Sequence, residues 1–204
     1  MELIVISSER AIEGEAGIIN DLFRSGMCRF HLRKPGSSIE QVSKLIDHID
    51  PAFYQRIALH QYHELAATYN IARLHFTEQS RTRTFAKTLE SQKEKGIRLS
   101  TSTHDARLIP SLSVFEYTFL SPVFDSLSKP GYTGTIKPGF RLENEDRSPR
   151  VIALGGVETD RLEIIKKMGF DGAAVLGAVW NQPQMALQTF HRLQAGITNL
   201  NIII

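Results

Sequence analysis

Residues 151–180 read VIALGGVETDRLEIIKKMGFDGAAVLGAVW, and the order of their parts decides the fold. Val151, Ile152, Ala153 and Leu154 form an apolar run that stops at Gly155-Gly156. A helix-period segment follows, with Leu162, Ile164, Ile165 and Met168 as its expected apolar stripe and Asp160 and Glu163 spaced like a capping box. Gly169 closes that helix, and a second apolar run, 173–179, carries Gly177 near its end. Strand, glycine turn, helix and strand make a βαβ unit. Neither run alternates with polar residues, so both faces are expected to be covered, as in a parallel sheet. Glycines at the ends of two successive parallel strands let backbone N–H groups approach an anion closely. In a (β/α)₈ barrel, the loops after strands seven and eight commonly hold a phosphate. Read as tight turns alone, the same glycines need no ligand.

Outward from that unit, apolar runs of strand length recur at 3–7, 28–33, 56–60, 73–77, 98–103 and 117–122, and then at 151–156 and 173–179. Helices are expected near 16–24, 38–49, 62–69, 84–95, 106–110, 160–168 and 183–195. Ser38 with Gln41 gives the second helix a capping box, and Gly96 marks the end of the fourth. Eight strands alternating with helices argue for a single small (β/α)₈ TIM barrel over residues 1–204, with few insertions. A flavodoxin-like open sheet would need only five such units. One interval breaks the rhythm: residues 122–150 are polar and rich in glycine and proline, with no helical stripe. A long loop there is a candidate lid, and a variable surface loop is the plain alternative.

With 42% hydrophobic and 23% charged residues, the chain has the composition of a folded protein and not of a disordered one. A net charge of +2 with no basic run and no aromatic-basic stripe argues against a nucleic-acid partner. Lone Cys28 allows no intramolecular disulfide and, inside an apolar run, is expected to be a packing residue. There is no basic leader with a cleavage pattern and no apolar run of membrane-spanning length, so the expected location is cytoplasmic, with no membrane partner. Ile202, Ile203 and Ile204 form an apolar tail that needs cover from its own barrel or from a second copy, as in a homo-oligomer.

In a barrel of this kind, function sits where strands end. Those positions hold His31 and Arg33, His60 and Gln61, and His75 and Glu78. Next come Ser102, Thr103 and His104, then Pro122 and Lys129, and finally Gly155-Gly156 and Gly177. Arg33 and Lys129 together with two glycine turns point to an anionic, phosphorylated ligand. The histidines raise a second question, because neutral imidazole is the commonest metal ligand. His60 and His63 have no carboxylate at a suitable spacing, although His31 and His75 can converge with them. A histidine-metal hydrolase is therefore kept as an alternative, and no residue is assigned as a metal ligand.

The order of these motifs resembles the thiamin phosphate synthase family and its TenI-type thiazole tautomerase branch, over nearly the whole chain. His31-Leu32-Arg33 matches the second-strand motif, and Ser102-Thr103-His104 the fifth-strand Ser-x-His. Ser121-Pro122-Val123-Phe124 with Lys129 resembles the turn and later lysine that follow the sixth strand. Ala153-Leu154-Gly155-Gly156 and the run Gly169-Phe170-Asp171-Gly172-Ala173-Ala174-Val175 match the two glycine motifs. The resemblance implies a (β/α)₈ barrel of thiamin biosynthesis. It assigns Arg33 and Lys129 to a diphosphate, Ser102 to a pyrimidine, and Gly155, Gly156 and Gly177 to a thiazole phosphate. His60, Gln61, His75 and Pro122 would line the substrate. In the synthases pyrophosphate leaves a pyrimidine that the thiazole nitrogen captures, which calls for Mg2+ and cationic side chains.

The departures from that pattern fall on the metal. Where the synthases carry Asn-Asp after the third strand, this chain has His60-Gln61. Where they carry a second carboxylate after the fourth, it has Ser80, with Glu78 two residues earlier. The family lysine two beyond the arginine is replaced by Pro35, next to Lys34. Magnesium prefers carboxylate and phosphate oxygens, so no cofactor is expected unless full synthase activity is retained. A tautomerase-like or divergent role is therefore placed ahead of the synthase, with a thiazole phosphate or thiamin-related phosphate as ligand. The tautomerase branch bears a catalytic histidine where this chain has Pro122, and proline cannot transfer a proton. His104, His31 or His75 would have to replace it, and the sequence does not choose among them. A binder that keeps the anion site without chemistry is the remaining alternative.

Overall fold

Eight short strands close on themselves in sequence order. They are β1 (Glu2–Ile6), β2 (Arg29–Leu32), β3 (Ile57–Leu59), β4 (Arg73–Phe76), β5 (Arg98–Thr103), β6 (Tyr117–Leu120), β7 (Arg150–Leu154) and β8 (Gly172–Val175). All pairings are parallel, and β1 beside β8 shuts the barrel through Glu2↔Gly172 to Val5↔Val175. This is a computed structural model that describes residues 1–124, 139–142 and 148–202. The expected (β/α)₈ barrel is the fold.

Alternation along each strand divides its side chains between two cores. Val5, Phe30, Leu32, Leu59, Leu74, Leu99, Val151 and Val175 face outward into the helix layer. Ile4, Ile6, Tyr117, Phe119, Ile152 and Ala174 fill the barrel itself. The helix layer comprises α1 (Glu15–Arg24), α2 (Ile39–Asp47), α3 (Leu65–Thr68), α4 (Glu78–Thr82), α5 (Ala86–Glu94), α6 (Leu162–Lys167), α7 (Gly177–Trp180) and α8 (Ala186–Ile202). A 3₁₀ segment, Ala106–Leu112, stands in for a helix between β5 and β6. The Ser38–Gln41 capping box of α2 is formed, and Gly96 and Gly169 end α5 and α6 with φ of +82° and +81°.

Several local expectations are corrected. Asp160 and Glu163 make no capping box, because a 3₁₀ turn, Thr159–Arg161, precedes α6. Ile164 is 50% exposed, since the buried face of that helix runs through Leu162 and Ile165, one turn apart. β8 ends at Val175, and Gly177 opens α7 instead of closing the strand. Trp180 pins that helix by donating its Nε1–H to the carbonyl of Ile6 at 2.7 Å. Cys28 is exposed: β2 begins one residue later, so the cysteine lies in the preceding turn and not in the core.

The N-terminal end of the barrel is closed by charge. Arg73 and Arg150 both reach Glu116 at 2.9 Å, and Arg29 and Arg150 both reach Glu2 at 2.8 Å. Gly172 leaves the room for this layer: a Cβ there would lie 2.6 Å from the Glu2 carbonyl oxygen. Burial pushes the Glu116 carboxyl up, but Arg29, Arg73 and Arg150 together outweigh it and hold the group below its ordinary 4.5. The unfolded chain therefore takes up the proton first on acidification. Glu116's contribution is complete above pH 4.5 and is lost as pH falls through the lower native value. Glu116→Gln is expected to cost on the order of 2 kcal/mol at neutral pH, because three arginines are left with Glu2 alone. Denaturant unfolding at pH 7 and pH 3.5 should show the variant losing less stability on acidification than wild type.

Candidate active site at the C-terminal mouth

The described residues among those singled out by sequence lie at or just beyond the C-terminal ends of the strands, at two depths. The deeper set is made of histidines. His31 is 0% exposed and His75 is 1% exposed, and both project into the barrel against Phe119 at ring distances of 4.8 and 5.1 Å. His60 stacks on His75 at 3.9 Å, and its Nε2 lies 2.7 Å from His31 Nδ1. His31 Nε2 meets the Tyr117 hydroxyl at 2.7 Å, and His75 Nδ1 meets Ser100 Oγ at 3.0 Å. Burial, reinforced by His75 and the nearby arginines, holds His31 well below 6.5. Burial and the neighbouring imidazoles do the same to His60. His75 is pushed down to about 3, chiefly by burial. At neutral pH these are three uncharged imidazoles.

The outer set faces the mouth. His104 follows β5 with its side chain 59% exposed. Its Nδ1 donates to the carbonyl of Ser121 at 2.7 Å, which leaves Nε2 pointing to Glu78 Oε2 at 3.8 Å. Glu78 opens α4 under the N-cap Thr77, with its backbone N–H on Ser102 Oγ at 3.3 Å and Arg81 3.7 Å from its carboxylate. Arg33 is held through its backbone by Ser7 Oγ, at 2.8 Å to both N–H and C=O, and its guanidinium pairs with Glu9. Lys129 and most of the candidate lid, residues 125–138 and 143–147, lie outside the described residues.

Two polar residues at this face are committed to the protein's own backbone. The Gln61 amide clamps Lys34, accepting its N–H at 3.1 Å and donating to its C=O at 2.6 Å. Ser80 is the third residue of α4, with its N–H on Thr77 Oγ1 and its hydroxyl on the Thr77 carbonyl, both at 3.1 Å. Lys34 itself is buried in an ion pair, with Nζ 2.6 Å from both carboxylate oxygens of Glu15.

After β7, Gly155 and Gly156 adopt φ of +100° and +61°. A Cβ on Gly155 would meet the Pro122 Cα at 2.9 Å, so the turn needs glycine to pack on the segment after β6. Phe124 N–H bonds the Gly155 carbonyl at 3.2 Å, and Arg161 donates to the Gly156 carbonyl at 2.7 Å. Since β7 pairs with β8, this turn and Gly177 stand side by side at the mouth. Sequence reasoning missed Tyr117, Ser100 and Thr77. For Ser100 and Tyr117 the available signal was strand register, since Ser100 pairs with both His75 and Tyr117.

The thiamine monophosphate synthase family model matches residues 3–179, which is most of the chain. The chain belongs to this family. Solved structures agree on the fold. A thiamine phosphate pyrophosphorylase from Bacteroides thetaiotaomicron is 23% identical, with 97% of this chain and 98% of that one covered at a TM-score of 0.73. Another from Pyrococcus furiosus is 16% identical, with 97% and 96% covered at a TM-score of 0.78. A phosphoribosyl anthranilate isomerase from Thermus thermophilus is 13% identical, with 98% and 100% covered at a TM-score of 0.59. No curated protein matches. Membership places the chain among proteins of thiamin biosynthesis. Among the described residues no helix is long and apolar enough to cross a membrane.

Proposed function

We propose that this member of the family binds a thiazole phosphate or a related thiamin phosphate at the barrel mouth and acts as a tautomerase-like, divergent enzyme. The observation that carries the reading is the state of Gln61 and Ser80. They stand where the synthases resembled here place magnesium carboxylates, and both are neutral and bonded to the protein's own backbone. The family typically uses Mg2+. That ion takes hard oxygen ligands, usually one or two carboxylates plus substrate phosphate. The carboxylates described here are already engaged, Glu78 facing Arg81 and His104 and Glu9 pairing with Arg33. The residues present do not fit magnesium.

Proton transfer needs an accessible group with a free lone pair. His31 and His75 are buried, whereas His104 is exposed and hydrogen-bonded to Ser121, the neighbour of Pro122. This favours His104 as the group that replaces the tautomerase histidine. With Nδ1–H fixed on the Ser121 carbonyl, its Nε2 is the atom left to take and return a proton. Following the family resemblance, the phosphate is assigned to Gly155, Gly156 and Gly177, and Arg33, Ser102 and Lys129 are assigned to the ligand, Lys129 lying outside the described residues. His60 and Pro122 would then form the wall and rim of the pocket.

Titration with thiazole phosphate, followed by NMR for tautomer conversion, tests the reading. His104→Gln should slow conversion by about a hundredfold while leaving affinity nearly unchanged. Gly156→Val should instead weaken binding of the phosphate more than it weakens folding. Binding without conversion would favour the non-catalytic binder, and equal affinity for the dephosphorylated alcohol would remove the anion site.

A further inference from the structure

Inside the barrel, His31 and His75 have no role in the function proposed above, and His60 serves there only as a wall of the pocket. We propose that His31, His60 and His75 form a binding site for one divalent transition-metal ion of the zinc class. One ring nitrogen from each lies within 4.8 Å of the other two. Zinc–imidazole bonds of about 2.0–2.1 Å in tetrahedral geometry set ligand nitrogens about 3.3 Å apart. The 2.7 Å contact between His31 and His60 would open slightly around an ion, and the wider spacings would contract.

Two further features separate this cluster from ordinary barrel packing. First, the remaining ring nitrogens of His31 and His75 are already anchored, on the Tyr117 hydroxyl and on Ser100 Oγ. Metal-bound histidines are characteristically oriented by such a partner on the nitrogen that does not ligate. Second, His60 Nδ1 is buried with no hydrogen-bond partner among the described residues, so the packing of this ring is not satisfied by the protein alone. A polar atom in that position calls for a ligand or a water.

The donor set also indicates the ion. Three imidazoles and no carboxylate suit zinc, cobalt, nickel or ferrous iron, and they do not suit magnesium or calcium. His60 is the most exposed of the three, so a fourth ligand would enter from the mouth. A barrel that has lost oxygen ligands for a hard cation would thus carry nitrogen ligands for a softer one, a few residues away on the same strands.

The test uses the full chain stripped with chelator and titrated with Co2+ and Zn2+, with no substrate present. One Co2+ per chain is expected, with the visible absorption of a nitrogen-ligated, four- or five-coordinate ion, displaced by Zn2+. His60→Gln and His75→Gln should each weaken Zn2+ by at least roughly a hundredfold in competition with a chromophoric chelator. Tyr117→Phe, which keeps the ring and removes only the hydroxyl, should weaken it roughly tenfold to a hundredfold. It serves as the test variant should a histidine variant fail to fold. Replacing exposed His48 and His191 should change nothing. A featureless Co2+ spectrum overturns the site, as does affinity that survives Tyr117→Phe and His60→Gln but falls with the exposed histidines. Because no substrate is used, either result leaves the thiazole-phosphate reading untouched.

Discussion

Wild-type protein supplied with pyrimidine diphosphate, thiazole phosphate and magnesium is expected to form little or no thiamin phosphate. Departure of pyrophosphate concentrates negative charge that a divalent ion must offset, and the ion in turn needs anionic protein ligands. Gln61 and Ser80 supply none, and their polar atoms are engaged with Lys34 and Thr77. Lys34, the nearest substitute for the family lysine, is bound to Glu15. Loss of a charge-assisted metal contact removes several kcal/mol from the transition state, a rate deficit of roughly a thousandfold or more. Combining Gln61→Asp with Ser80→Asp should raise coupling from that floor in a magnesium-dependent way. The first change gives up the clamp on Lys34, so unfolding is measured alongside product formation. Robust wild-type coupling at ordinary magnesium concentrations would return the chain to the synthase branch.

The second large effect is on stability. Lys34 and Glu15 are each 5% exposed at the side chain, with Nζ 2.6 Å from both carboxylate oxygens and 3.0 Å from the Arg10 carbonyl. Burial raises the Glu15 carboxyl despite the adjacent ammonium, so desolvation outweighs the attraction on the acid side. Such a pair adds little net stability, yet removing one partner strands a buried charge. Lys34→Met should therefore cost about 3–5 kcal/mol, read by urea unfolding at pH 7. The double variant Lys34→Met with Glu15→Met should recover most of that loss, because no charge remains buried. A double variant as unstable as the single one would mean that the contact with Arg10, and not the ion pair, carries the effect.

Much of the barrel was legible before any coordinates. The run 151–154, the turn at Gly155-Gly156, the helix after it and the run from Ala173 define a βαβ unit from local pattern alone, and the same period recurs along the chain. Strands buried on both faces read as apolar runs, as in β1, β3, β7 and β8, whereas the polar β5, RLSTST, is legible only from its place in the recurring period. Local pattern misled where neighbouring segments compete. Asp160 and Glu163 have capping-box spacing, but the 3₁₀ turn before α6 takes the cap position. Cys28 borders an apolar run yet falls in the turn before β2.

The sequence by itself determined the barrel and set out candidate residues near the strand ends, with neutral Gln61 and Ser80 among them. Only the tertiary structure decided how those residues divide. Closing the barrel buries His31, His60 and His75 against Tyr117, Ser100 and Phe119, and leaves His104 at the mouth beside Ser121. It likewise gathers Arg29, Arg73, Arg150, Glu2 and Glu116 into one charged layer from four different strands and the turn before β6. The reason is register. A strand's own sequence tells which side chains share a face, but their depth in the barrel depends on the stagger between strands distant in sequence.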